Sequence, residues 1–201
     1  MLRFLFALML PLVIAACSGV NSDKWAPDAE VARALHSSPA PSSLTVYTVV
    51  SNSSGQGGHT ALLINADHQA LFDPAGSWYN DLAPQRHDMH YGMTPALVNL
   101  YEDHHARPTH HVIIQRIEVP PEVARQAMRL AEARGAVPES NCTRATSQIL
   151  AALPGFGAVS PTWFPVSLSR QLDAMPGVTT TRRDDDEWQP HEIALGAHLR
   201  G

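Results

Sequence analysis

Cysteine is nearly absent: the 201 residues hold two, Cys17 and Cys142. A disulfide framework of the kind that staples small secreted folds is therefore excluded. A basic excess is missing too, since 14 Lys and Arg stand against 19 Asp and Glu, a formal net charge of −5. That balance argues against nucleic acid, or a polybasic membrane contact, as the main partner. No internal repeat is visible, and the longest apolar run, Phe4 to Ala16, spans 13 residues, too short to cross a bilayer.

What stands at the N-terminus is a secretory pattern: one early charge at Arg3, the apolar run, then small residues. Ile14-Ala15-Ala16-Cys17 resembles a bacterial lipobox. The resemblance implies cleavage before Cys17 and lipidation of its thiol, with residues 1–16 removed. Ser18 in place of aspartate then implies sorting to the outer membrane, facing the periplasm. Unmodified secretion, with Cys17 as a plain thiol or half of a disulfide, is the other reading. Residues 17–43 are expected to form a tether with a weak helical patch near Asp28–Leu35, residues 44–182 one domain, and 183–201 a solvated charged tail.

Within 44–182 the chain alternates in character. "LTVYTVV" (44–50) and "HTALLIN" (59–65) predict strands, as do "QALFD" (69–73) and "HHVIIQRIEV" (110–119). Residues 77–93 lack periodicity and are expected to form a long loop; its Trp78, Tyr79, His90 and Tyr91 would line a substrate groove. Helices are expected over 94–105, over 120–135 between Pro120 and Gly135, and over about 142–153. Together these predict an α+β domain with an antiparallel sheet packed against helices.

The last helix carries the lone internal cysteine. Cys142, Ala145, Ile149 and Leu153 are spaced three, four and four apart, one inward stripe with Cys142 in the first turn. There the helix dipole and unpaired backbone N–H groups favour a thiolate and can bind an oxyanion. The same position suits a packing residue. A nucleophilic thiol needs a base and an orienting group. A hairpin of 59–64 with 68–73 around Asn65-Ala66-Asp67 would set His59 opposite Asp73 on one face, within hydrogen-bond reach. His68 would then point to the other face. As plainer roles, His59 could open a strand after Gly57-Gly58, and Asp73 before Pro74 could be a turn residue.

The Asn141-Cys142 pair at a helix start, His59 opening an apolar strand and a polar residue ending the next strand resemble the NlpC/P60 superfamily of papain-like cysteine hydrolases. The order of these motifs resembles its circularly permuted branch, which includes lecithin:retinol acyltransferase-like proteins. The resemblance covers roughly residues 44–173, including "PTWFPVSLSRQL" (161–172) as a proline-then-helix segment. It implies Cys142 as nucleophile, His59 as general base and Asp73 as third residue, where many members have histidine. Members cleave peptidoglycan peptides, act on other amides or transfer lipid acyl chains, through an acyl-enzyme and without a cofactor.

Two other readings stand beside the hydrolase. A non-catalytic envelope binding module would keep the fold without turnover. A metal-binding periplasmic protein would use the 11 histidines. His110 and His111 point to opposite faces of a strand, and His104 and His105 diverge on a helix, so neither pair makes a site unaided. No metal, cofactor or nucleic acid is expected. A monomer held to the membrane by lipid at Cys17 is.

Overall fold

The computed structural model describes residues 25–185. The leader, Cys17 and the tail beyond 185 lie outside the described residues. In chain order the elements are α1 (Asp28–Ala34), β1 (Ser43–Ser51), β2 (Gly57–Asn65), β3 (Gln69–Phe72), β4 (Gln85–Arg86), β5 (Met89–Tyr91), α2 (Pro95–His105), β6 (His110–Glu118), α3 (Pro121–Arg134), α4 (Cys142–Ala151), α5 (Pro165–Asp173) and β7 (Thr179–Arg183). The fold is α+β. Its strands pair in the order β4-β5-β3-β2-β1-β6-β7, antiparallel throughout.

Both faces of the sheet are covered, which is why β1 and β2 read as unbroken apolar runs and not as alternating ones. Leu44, Val46, Leu62, Ile64 and Phe72 point to the face packed by α3, α4 and α5, against Val123, Ala127, Ile149, Leu150 and Leu168. Tyr47, Ala61, Leu63 and Leu71 point to the face covered by α2, against Leu97, Tyr101 and Trp78. Each large apolar side chain buried this way contributes roughly 1.5–3 kcal/mol. Helix α2 starts as its composition predicts, with Pro95 in the first turn and Thr94 accepting the Leu97 N–H at 3.3 Å.

The structure corrects several expectations. The β2–β3 loop is Ala66-Asp67-His68, because Asn65 pairs with Gln69 and Leu62 with Phe72. The register is thus two residues from the expected one, and Asp73 lies just past β3 instead of directly opposite His59. Residues 77–93 are not all loop: β4 and β5 extend one sheet edge, too short to show a period. The expected tether is packed over its described part, with Val31 of α1 in the core and the Arg86 Nε donating to the Ala26 carbonyl at 2.8 Å. At the other edge β7 pairs Arg183 with Val112, so the chain expected to be tail from 183 is still sheet at that residue.

One close approach ties α5 to the start of β2. A Cβ on Gly57 would fall 2.3 Å from Pro165 Cβ, whereas one on Gly58 would meet open space. Gly57→Ala should therefore cost about 1–3 kcal/mol in chemical denaturation. Gly58→Ala should stay within about 0.5 kcal/mol of wild type; equal effects would contradict this packing.

Candidate active site

Cys142, His59 and Asp73 meet at one end of the sheet. Asn141, the residue before α4, leaves Cys142 as the first helical residue, and the stripe of Cys142, Ala145, Ile149 and Leu153 is buried as its spacing predicts. Asn141 provides no side-chain cap; its Nδ2 donates to the Glu139 carbonyl at 3.0 Å. The sulfur lies 3.8 Å from Thr143 Oγ1, and His59 and the Thr60 backbone N–H are near enough to favour its ionised form. Its neighbour Thr143 bonds Thr60 Oγ1 at 2.9 Å, stitching the first turn of α4 to β2.

His59 is the centre of the group. Its Nε2 lies 2.6 Å from Asp73 Oδ1, which leaves Nδ1 as the ring nitrogen for the thiol. Asp73 reaches His59 although the register is shifted, because a shift of two keeps both side chains on one face. Its side chain is fully buried, and Oδ1 also accepts the Tyr101 hydroxyl at 2.9 Å. The backbone on either side is forced into unusual conformations. Ala75 (φ 56°) follows Asp73 by two residues and Ser140 (φ 64°) precedes Cys142 by two. Such conformations persist only where the surroundings impose them. Around Ala75 the buried Asp88 carboxylate does so, accepting the N–H groups of Ala75 at 3.3 Å and Val137 at 2.8 Å. Gly76 lies against the Asp73 carboxylate so closely that a Cβ would fall 1.8 Å from Oδ2, which excludes any other residue.

No family model, curated protein or solved structure matches this chain.

Burial by itself would lower the pKa of His59, but the charge and hydrogen bond of Asp73, joined by Cys142, outweigh it and raise the value to about 10. Burial likewise would raise Asp73; the His59 charge and hydrogen bond, with His90 and His105 nearby, hold the carboxyl well below its ordinary range. Burial also opposes ionisation of Cys142, yet His59, Thr143 and the Thr60 N–H together pull the thiol below its ordinary value. The three groups thus favour a carboxylate, an imidazolium and a thiolate in a row. The raised His59 value means its contribution to stability is complete below pH 6.5 and lost as pH rises through about 10. The depressed Asp73 value means its contribution is complete above pH 3.8 and lost as pH falls through the folded value.

Two residues of this site went unread as site residues in the sequence. Tyr101 and His105 lie four apart on α2, hence on one helical face, a spacing that could have shown them. His105 stacks on His59 at 5.6 Å between centroids and 11° between planes, with Nδ1 bonded to the Tyr101 carbonyl at 2.9 Å. Burial holds its pKa near 4, so it faces the His59 imidazolium as a neutral ring. His104 and His105 do not diverge as expected; their rings meet edge to face at 4.9 Å. Among the described residues no group of three or more His, Cys, Asp or Glu is arranged to hold a metal ion.

The groove expected from loop 77–93 is also corrected. Trp78, His90 and Tyr91 are buried and, of the four, only Tyr79 is exposed, because β5 carries His90 and Tyr91 into the sheet edge and Trp78 packs on Tyr101. A cavity of about 440 Å³ lies elsewhere, between α2 and the strands around Thr45, Asn65 and Arg116, and touches none of Cys142, His59 and Asp73.

The His59 ring should titrate near pH 10 when followed by NMR. Asp73→Asn should bring it back towards or below 6.5, because the burial that lowers the value then acts without the opposing charge. An unchanged titration would show that Asp73 does not hold the charge.

Proposed function

We propose that this protein is a thiol hydrolase of amide or ester bonds acting through an acyl-enzyme, with Cys142 as nucleophile, His59 as proton donor and acceptor, and Asp73 as the group that orients His59. The observation that carries the reading is a single imidazole hydrogen-bonded to a buried carboxylate and near enough to a thiol in the first turn of a helix to favour the thiolate. In the first step the Cys142 thiolate attacks the carbonyl carbon and the electron pair moves to oxygen, within reach of the Cys142 N–H at the helix start. The His59 imidazolium then gives its proton to the leaving amine or alcohol, leaving a thioester on Cys142. Neutral His59 next takes a proton from water, or from an acceptor amine or hydroxyl, which attacks the thioester and restores the thiolate. No step needs a cofactor.

The strand carrying His59 precedes the helix carrying Cys142, and the sheet is antiparallel with helices on both faces. This order supports the permuted papain-like arrangement of the NlpC/P60 superfamily as the fold. The N-terminal pattern ending at Cys17 supports a lipoprotein of the cell envelope, anchored in the outer membrane and facing the periplasm, with peptidoglycan peptides or other amides and esters as substrates. A binding module without turnover is the second reading. It is favoured by the burial of Cys142, which is only 8% exposed.

Iodoacetamide alkylation of Cys142 near pH 6.5 separates the two. His59→Ala should slow it by about tenfold or more, because the thiol loses the charge that ionises it. His68→Ala, in the β2–β3 loop beside Tyr91, should leave it unchanged. Equal losses would overturn the proposed role of His59, and a thiol that reacts only after denaturation would leave the binding module.

A further inference from the structure

Aromatic side chains in this domain are mostly sunk in the core, but two beside the candidate site are not. Trp163 is 50% exposed and Phe164 is 71% exposed. They sit just before α5, whose first residue Pro165 is packed on Gly57, two residues from His59. The segment is pinned: buried Ser147 Oγ accepts the Thr162 N–H at 3.0 Å, and Phe164 N donates to Thr162 Oγ1 at 3.2 Å. Over the Trp163 ring, 4.8 Å from its centroid, lies the guanidinium of Arg144, two residues after Cys142 in the first turn of α4.

No carboxylate pairs with Arg144 among the described residues; the ion pairs there use Arg86, Arg116, Arg125, Arg182 and Arg183. An arginine left without an anion in a chain of net charge −5, laid flat on an indole, keeps its N–H fork available and already oriented. Beside it two large apolar surfaces stay in water, at a cost that bound apolar matter would relieve.

We propose that Trp163, Phe164 and Arg144 form a substrate shelf for anionic amphiphiles: acyl compounds in which an apolar chain or ring lies next to a carboxylate or phosphate. The apolar part lies on Phe164 and the exposed Trp163 surface, and the anion pairs with the Arg144 fork. The role of the shelf in catalysis rests on the thiol chemistry proposed above, whereas its binding does not.

The test is protection of Cys142 from iodoacetamide by hexyl phosphate and by heptanoate, with inorganic phosphate and hexanol as the separate halves. At least one joined probe should protect saturably at about tenfold lower concentration than either half; whichever does so tells phosphate from carboxylate. Arg144→Gln and Phe164→Ser should each raise the concentration needed by about tenfold. Arg170→Gln, exposed on α5, should not. Protection by hexanol alone would mean a merely apolar contact, and protection that survives Arg144→Gln and Phe164→Ser would place the ligand elsewhere; both overturn the shelf. Calorimetric titration of Cys142→Ser with the same probes decides the matter even for an unreactive thiol: absence of binding overturns the shelf, while a thiol indifferent to His59 overturns only the catalytic reading.

Discussion

The contact between His59 and the buried carboxylate of Asp73 is the constraint around which this domain is organised. A charge with no access to water is tolerated only with a partner and with its hydrogen bonds satisfied. Asp73 has its partner in His59, and His59 and Tyr101 both bond Oδ1, while the buried Oδ2 has no hydrogen-bond partner among the described residues. That requirement reaches outward. It fixes the ring of His59, demands glycine at position 76, and needs α2 placed so that Tyr101 comes down on the carboxylate. The imidazolium it stabilises is in turn what favours a thiolate at Cys142.

The sheet makes this possible because both its faces are covered. His59 and Asp73 project to the face packed by α2, while Cys142 arrives on a helix packed with α3 and α5 against the other. They meet only at the end of β2, where the pairing of β1 with β2 shifts between Val49 and Val50. The Thr60–Thr143 hydroxyl pair holds the helix start there, so each of two buried polar groups satisfies the other. The first turn of α4 thus supplies a dipole and free N–H groups at the point where the thiol meets its base.

Much of this was legible in the residues. Strands β1, β2, β3 and β6 and helices α2, α3 and α4 follow from β-branched runs, proline starts and helical spacing. The shared face of His59 and Asp73 was legible even though the register was misread, since an error of two residues preserves the face and an error of one would have destroyed it. What escaped has physical reasons. Strands β4 and β5, of two and three residues, are too short for a period. Strand β7 reads as polar TTTRR because it is an exposed edge, where such residues guard against unwanted pairing. Helix α1 falls on the helical patch expected near Asp28–Leu35; what escaped is that it packs, because it buries only Val31, a single apolar residue that no pattern announces. Tyr101 and His105 were hidden because a helix facing a polar site looks, in sequence, like one facing a core.

The central claim is that a buried imidazolium, held by Asp73, ionises Cys142. The most direct measurement is the pH titration of the Cys142 thiolate by its ultraviolet absorbance, taken as the difference between wild type and Cys142→Ser. The account predicts a midpoint below the ordinary thiol value of about 8.5. A midpoint at or above that value, as burial without a charged partner would give, would contradict it.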